Sequence, residues 1–124
     1  MLVSMVALVA LLVVASSPLV AAEITVSPNV INIASASTVV TVHTDLPYNL
    51  VDGASVSLNG LEIEWWKADD RGYFVAKFVA AEVKGIVEAG TTATLTLTGE
   101  TVEGEAFSGS DEVKVVDVSG DKKK

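Results

Sequence analysis

Few side chains in this 124-residue sequence are equipped for chemistry. His43 is the only imidazole and there is no cysteine. A general base needs an oriented partner within hydrogen-bond reach, and no Ser or Asp motif surrounds His43, so it is expected on the surface of a strand. Without cysteine there is no disulfide framework, thiolate metal site or cysteine nucleophile. A glycosidase needs two carboxylates flanking a cleft. Glu62 and Glu64 share a strand face beside a tight hairpin, and Glu103 and Glu105 flank Gly104 in a turn, so no catalytic residue is expected. Asp69 and Asp70, followed by Gly72, are the metal candidates. Calcium takes six to eight oxygens, some of them loop carbonyls, and a solvated turn is the competing reading. Trp65 and Trp66 are adjacent, so on a strand they point to opposite faces. The phase of Leu61 and Ile63 sends Trp65 to the core and Trp66 outside, in company with Tyr73 or Tyr48. An outward indole can stack on a sugar ring, a partner protein or a neighbouring copy, or it can simply cover its own sheet. Trp66 and Tyr73 are the ligand-binding candidates.

The elements that must position these groups alternate with a period of two. Thr92 to Thr98 reads TATLTLT, with Ala93, Leu95 and Leu97 on one side and threonines on the other, the pattern of a half-buried antiparallel strand. Val40 and Val42 alternate with Thr41 and His43. Further strand-like runs cover 24–33, 54–58, 73–79, 102–108 and 112–118. Asn59-Gly60 is a strong hairpin signal. Asp69–Gly72, Thr98-Gly99-Glu100 and Glu103-Gly104-Glu105 read as turns. Ala80 to Glu88 places Val83, Ile86 and Val87 at helical spacing with Gly90 beyond, which predicts one short helix over 80–88. Strands at this spacing point to a sandwich or a barrel in a single domain. The predicted core is Ile24, Val26, Ile33, Val40, Val42, Val56, Leu58, Leu61, Ile63, Trp65, Phe74, Phe78, Val83, Ile86, Leu95, Leu97, Phe107, Val113 and Val115.

Charge is unevenly spread. Residues 1–22 carry none, and the apolar run from Leu2 to Ala15 precedes Ser16, Ser17 and Pro18. Val20 and Ala22 then supply small residues at −3 and −1, so residues 1–22 read as a hydrophobic signal helix cleaved after Ala22. An uncleaved membrane anchor is the alternative. All 16 acidic residues lie beyond that segment; setting aside Lys122, Lys123 and Lys124 leaves only five basic ones against them. Such a body argues against nucleic acid as a partner and suits an exported, extracellular or cell-surface protein. Residues 23–119 form the expected domain and 120–124 a basic tail.

The order ITVSPNVINIAS, TVVTVHTDLP, VDGASVSLNG and then GYFVAKFVAAEVKGIVEAGTTATLTLTGETVEGEAFSGSDEVKVVD resembles an immunoglobulin-like module of secreted and cell-surface proteins of archaea and bacteria. The resemblance spans nearly all of residues 24–118. It implies an all-β, antiparallel two-sheet sandwich of about seven strands with one short helix, non-catalytic, and used in adhesion, display or spacing. Relatives of that kind often carry a calcium-binding loop of the form D-x-D-G before the strand matching Gly72 to Phe78. Here that stretch is Lys67-Ala68-Asp69-Asp70-Arg71-Gly72, with an arginine where another oxygen ligand would serve. No cofactor is therefore expected, calcium being the alternative. The expected partner is a protein or a cell-surface assembly, met through loops and sheet edges. Alternatives are a small carbohydrate- or calcium-binding domain, with polysaccharide as ligand, and a filament subunit that exchanges the strand 24–33. Membrane contact is expected only through the N-terminal segment.

Overall fold

The computed structural model describes residues 19–119. The expected signal helix lies outside the described residues except for residues 19–22, and the tail 120–124 lies outside them entirely. The described strands are β1 (Val20–Ala21), β2 (Ile24–Ser27), β3 (Val30–Asn32), β4 (Val39–Pro47), β5 (Val51–Leu58), β6 (Leu61–Glu62), β7 (Trp65–Ala68), β8 (Tyr73–Val79), β9 (Thr92–Thr101) and β10 (Ala106–Val116). Among the described residues one α-helix, α1 (Ala80–Lys84), follows β8, and a 3-10 turn spans Tyr48–Leu50. The larger sheet runs β1-β10-β9-β5-β6, with β3 also on β10; the smaller runs β2-β4-β8-β7. The chain is thus mostly β, in two sheets that face each other as a sandwich.

The strands exceed seven because β1 precedes the first ribbon, that ribbon is divided between the sheets, and the chain from Leu61 to Ala68 is likewise divided into β6 and β7. Residues 24–33 do not form one strand. Ile24–Ser27 pairs antiparallel with β4, whereas Val30–Asn32 pairs parallel with β10. Pro28 stands at the break, where its lack of an amide hydrogen suits an interrupted ladder. β1 also runs parallel to β10, so the larger sheet is mixed rather than purely antiparallel. Both halves of the 24–33 segment are paired within their own domain.

The apolar sides of both sheets interdigitate. Val26, Val40, Val42, Leu58, Phe74, Phe78, Leu95, Leu97 and Phe107 are all withdrawn from water. Ile33, Leu61 and Ile63 pack against this core from its margin. Ile31, Leu46, Val51, Ala76 and Ala80 join the core without having been expected there. The Asn59-Gly60 hairpin closes as expected, with Ser57 opposite Glu62 and φ of 47° and 87° at the two turn residues. These positive values are those of a type I′ turn.

Three expectations are corrected. Thr98-Gly99-Glu100 is not a turn: β9 runs through it, and Gly99 leaves room for a ring, since a Cβ there would lie 2.7 Å from Phe107 Cζ. The runs 102–108 and 112–118 are largely one strand, β10. The helix ends at Lys84, four residues early, with Gly85 as its C-cap; Val83 is buried, but Ile86 lies beyond the helix and is 44% exposed.

Leu97 projects from β9 into the middle of the core. Truncation of such a side chain removes its transfer free energy and leaves a cavity. Leu97→Ala is expected to lower the unfolding free energy by about 2–5 kcal/mol, measured by urea denaturation, whereas Thr96→Ala on the opposite side of the same strand is expected to cost far less.

Candidate functional site

The chain changes sheets between β6 and β7, and that crossing decides where the two tryptophans point. Ile63 donates its amide to Val56 O in the larger sheet (3.3 Å), and the next amide, of Glu64, goes to Lys77 O in the smaller (2.8 Å). The alternation begun by Leu61 and Ile63 therefore does not carry into β7. Trp66 lies opposite Ala76 and Trp65 opposite Lys77. Ala76 is buried in the core, so Trp66 has the inner phase. Its indole lies over Gly53 of the facing sheet, where any Cβ would overlap the ring. Trp65 has the outer phase and is 46% exposed; Trp66, at the open margin of the core, is 37% exposed. The expected phase is thus reversed, and Trp65 is not in the core; Trp66, expected outside, is exposed although it has the inner phase. Tyr73 shares the outer phase with Val75 and Lys77, so the structure does not bring Trp66 and Tyr73 together. Tyr48 stacks instead on Phe74, with ring centroids 6.4 Å apart.

The outer side of the smaller sheet is organised as two cross-strand rows. One reads Trp65, Lys77, Thr41, Ser27; the next reads Lys67, Val75, His43, Thr25. Neither row contains a carboxylate, although acids dominate the chain as a whole. Lys77 Nζ donates to Thr41 Oγ1 at 3.0 Å and sits 5.5 Å from the centre of the Trp65 ring, within cation–π range. Partial burial, and then the neighbouring Lys67 charge, lower the Lys77 pKa below the ordinary lysine range. Val75 is buried beneath these side chains, forming part of a groove of about 310 Å³ that Lys67, Lys77, His43, Asp69 and Asp70 also line. His43 is exposed. Sequence reasoning missed Lys67, Lys77 and the outward Trp65. Alternation within 65–67 places Trp65 and Lys67 on one side, but only the strand pairing adds Lys77.

Asp69 and Asp70 close the adjoining loop. Asp69 Oδ1 accepts the amides of Arg71 (2.8 Å) and Tyr73 (2.9 Å). The Asp69 amide in turn donates to Tyr73 O, and Gly72 N–H donates to Asp69 O. The Tyr73 amide foremost, against the opposing effect of desolvation and with help from the Arg71 amide, the Arg71 charge and the Gly72 amide, holds the Asp69 carboxyl below its ordinary 3.8. One oxygen of this carboxylate is thus engaged in building the turn. Asp70 is exposed. Among the described residues no three or more His, Cys, Asp or Glu side chains gather as metal ligands would. Glu62 lies on β6 and Glu64 at the sheet crossing, both exposed.

The two margins of the sandwich differ. At one, Asp111 Oδ2 on β10 accepts the Val26 amide of β2 at 2.8 Å, so a side chain bridges the sheets where the ladder is absent. At the other, β7 ends the smaller sheet. Asp69 N–H reaches Tyr73 O across the β7–β8 ladder. By alternation the amides of Trp66 and Ala68 point away from β8, and among the described residues no strand pairs with that side.

No family model, curated protein or solved structure matches this chain.

Two outcomes follow from this geometry. In a Trp65→Phe background, Gly53→Ala is expected to displace the Trp66 indole, seen as red-shifted emission and stronger quenching by acrylamide; unchanged emission would contradict the packing. A carboxylate held below its unfolded value contributes stability that is complete above the unfolded pKa and is lost as pH falls through the folded one. Thermal melts between about pH 2 and pH 6 are therefore expected to fall less steeply below the ordinary 3.8 of Asp69 for Asp69→Asn than for the parent protein.

Proposed function

We propose that this chain is an exported, non-catalytic β-sandwich module of the immunoglobulin-like kind, which presents its loops and one sheet edge to a protein partner at the cell surface. The unpaired side of β7 carries the reading. Its four residues are exposed, its Trp66 and Ala68 amides point outward, and the opposite margin is sealed by Asp111. A free edge accepts an extended segment of another chain through backbone hydrogen bonds, with alternate side chains supplying specificity. Trp65 and Lys67 on the outer side and Trp66 on the inner side would flank such a segment.

The test is binding of labelled protein to the envelope of the cells that produce it. Ala68→Pro removes an outward amide at an edge position, where proline is tolerated. It is expected to reduce binding at least tenfold while the circular-dichroism spectrum stays that of the parent. Equal binding by the variant rejects the edge as the docking element.

The second reading, a carbohydrate-binding domain, draws on the outward Trp65 flanked by Lys67 and Lys77, a flat ring beside two cations that would suit an acidic polysaccharide. Here Trp65→Phe, rather than Trp66→Phe, is expected to abolish any change in tryptophan emission on adding such a polymer. Calcium at Asp69 and Asp70 would have to raise the melting temperature, because a ligand specific for the folded state stabilises it. With one Asp69 oxygen committed to the turn, the expected shift on adding calcium or a chelator is nil.

A further inference from the structure

The last residues of the expected signal segment are built into the domain. Val20 and Ala21 pair with Phe107 and Ser108 as β1. The Ala22 amide donates to Ser108 O at 2.9 Å, and Val20 and Ala22 both pack against the hydrophobic core. Gly109 is shaped to this strand, since any Cβ there would overlap the Ala22 carbonyl oxygen. Glu23 continues the attachment: its amide donates to Asp45 Oδ1 at 3.0 Å, and its carbonyl accepts the Asp45 amide at 3.2 Å. Residues 20–22 are thus tied to the larger sheet and Glu23 to the smaller.

Cleavage after Ala22 would delete a strand for which β10 has made room. It would leave the edge of β10 at Phe107 and Ser108 without its partner and expose apolar margin that Val20 and Ala22 cover. Seven residues earlier the sequence offers a second site of the same chemistry. Val13-Val14-Ala15 places small residues at −3 and −1, directly after the apolar run that starts at Leu2, and Ser16 follows. Export peptidases require an apolar stretch of about 7–15 residues and then small side chains at those two positions. A run from Leu2 to Leu12 meets the length.

We propose that the export peptidase cuts between Ala15 and Ser16, so that β1 stays in the mature protein. Water is the co-reactant: the Ala15–Ser16 amide bond breaks, the Ala15 carbonyl carbon gains hydroxyl, and the Ser16 nitrogen leaves with the proton as the new amino terminus. The retained Ser16-Ser17-Pro18-Leu19 stretch then precedes β1 as a short lead. The proposal rests on the exported reading above and names the bond at which it is carried out.

The experiment is the intact mass and N-terminal sequence of the protein secreted when the full chain is expressed in an exporting host, beside the same chain with Ala15→Phe. A product beginning at Ser16, with processing lost in Ala15→Phe because a bulky side chain occupies −1, supports the proposal. A product beginning at Glu23, unaffected by Ala15→Phe, overturns it and leaves export standing. An intact Met1 on protein held in the membrane overturns the cleavage and the free exported form together.

Discussion

Each long strand of this chain carries one apolar side, and the structure follows from the need to hide those sides against each other. Leu95 and Leu97 on β9, Phe107 and Val113 on β10, and Val56 and Leu58 on β5 are the contribution of the larger sheet; Val26, Val40, Val42, Phe74 and Phe78 are that of the smaller. With no disulfide to restrain the unfolded chain, removal of this surface from water is the main favourable contribution to folding. The polar devices act at the margins, where apolar packing runs out. Asp111 meets the Val26 amide at one margin, and the Trp66 ring covers Gly53 at the other.

That division explains what the sequence made legible. Period-two alternation is a property of a ribbon with one wet side, so β4 and β9 were readable from their own residues. The hairpin at Asn59-Gly60 was readable because few residues accept positive φ in sequence. What escaped was the assignment of each ribbon to a sheet. The segment 24–33 looks continuous in hydropathy yet serves both layers, because core lies on the inner side of either. Trp65 and Trp66 were misassigned for the same reason. Alternation transmits phase only within one ladder, and the chain leaves the ladder at Ile63. Gly99 misled differently, since a glycine that admits the Phe107 ring looks the same in sequence as one that turns the chain.

The candidate site shows the same limit. His43, Lys67 and Lys77 are far apart in sequence and unremarkable singly, and cross-strand register makes them neighbours. The Asp69 loop was legible as a turn, but the engagement of its carboxylate with the Arg71 and Tyr73 amides depends on backbone geometry that composition does not encode. A carboxylate that closes a turn and one that awaits a cation look alike until the hydrogens are placed.

Asn59 does more than bend the chain. Its backbone amide reaches Thr96 O, its side-chain Oδ1 accepts the Thr96 amide at 2.7 Å, and its Nδ2 donates to Thr94 O at 3.2 Å. β5 ends at Leu58, opposite Leu97, so past it β9 would otherwise present bare peptide groups to solvent. The asparagine side chain imitates one more peptide unit and occupies them. That short stretch of rim, finished in this way, offers no template there for a stray ribbon to zip onto.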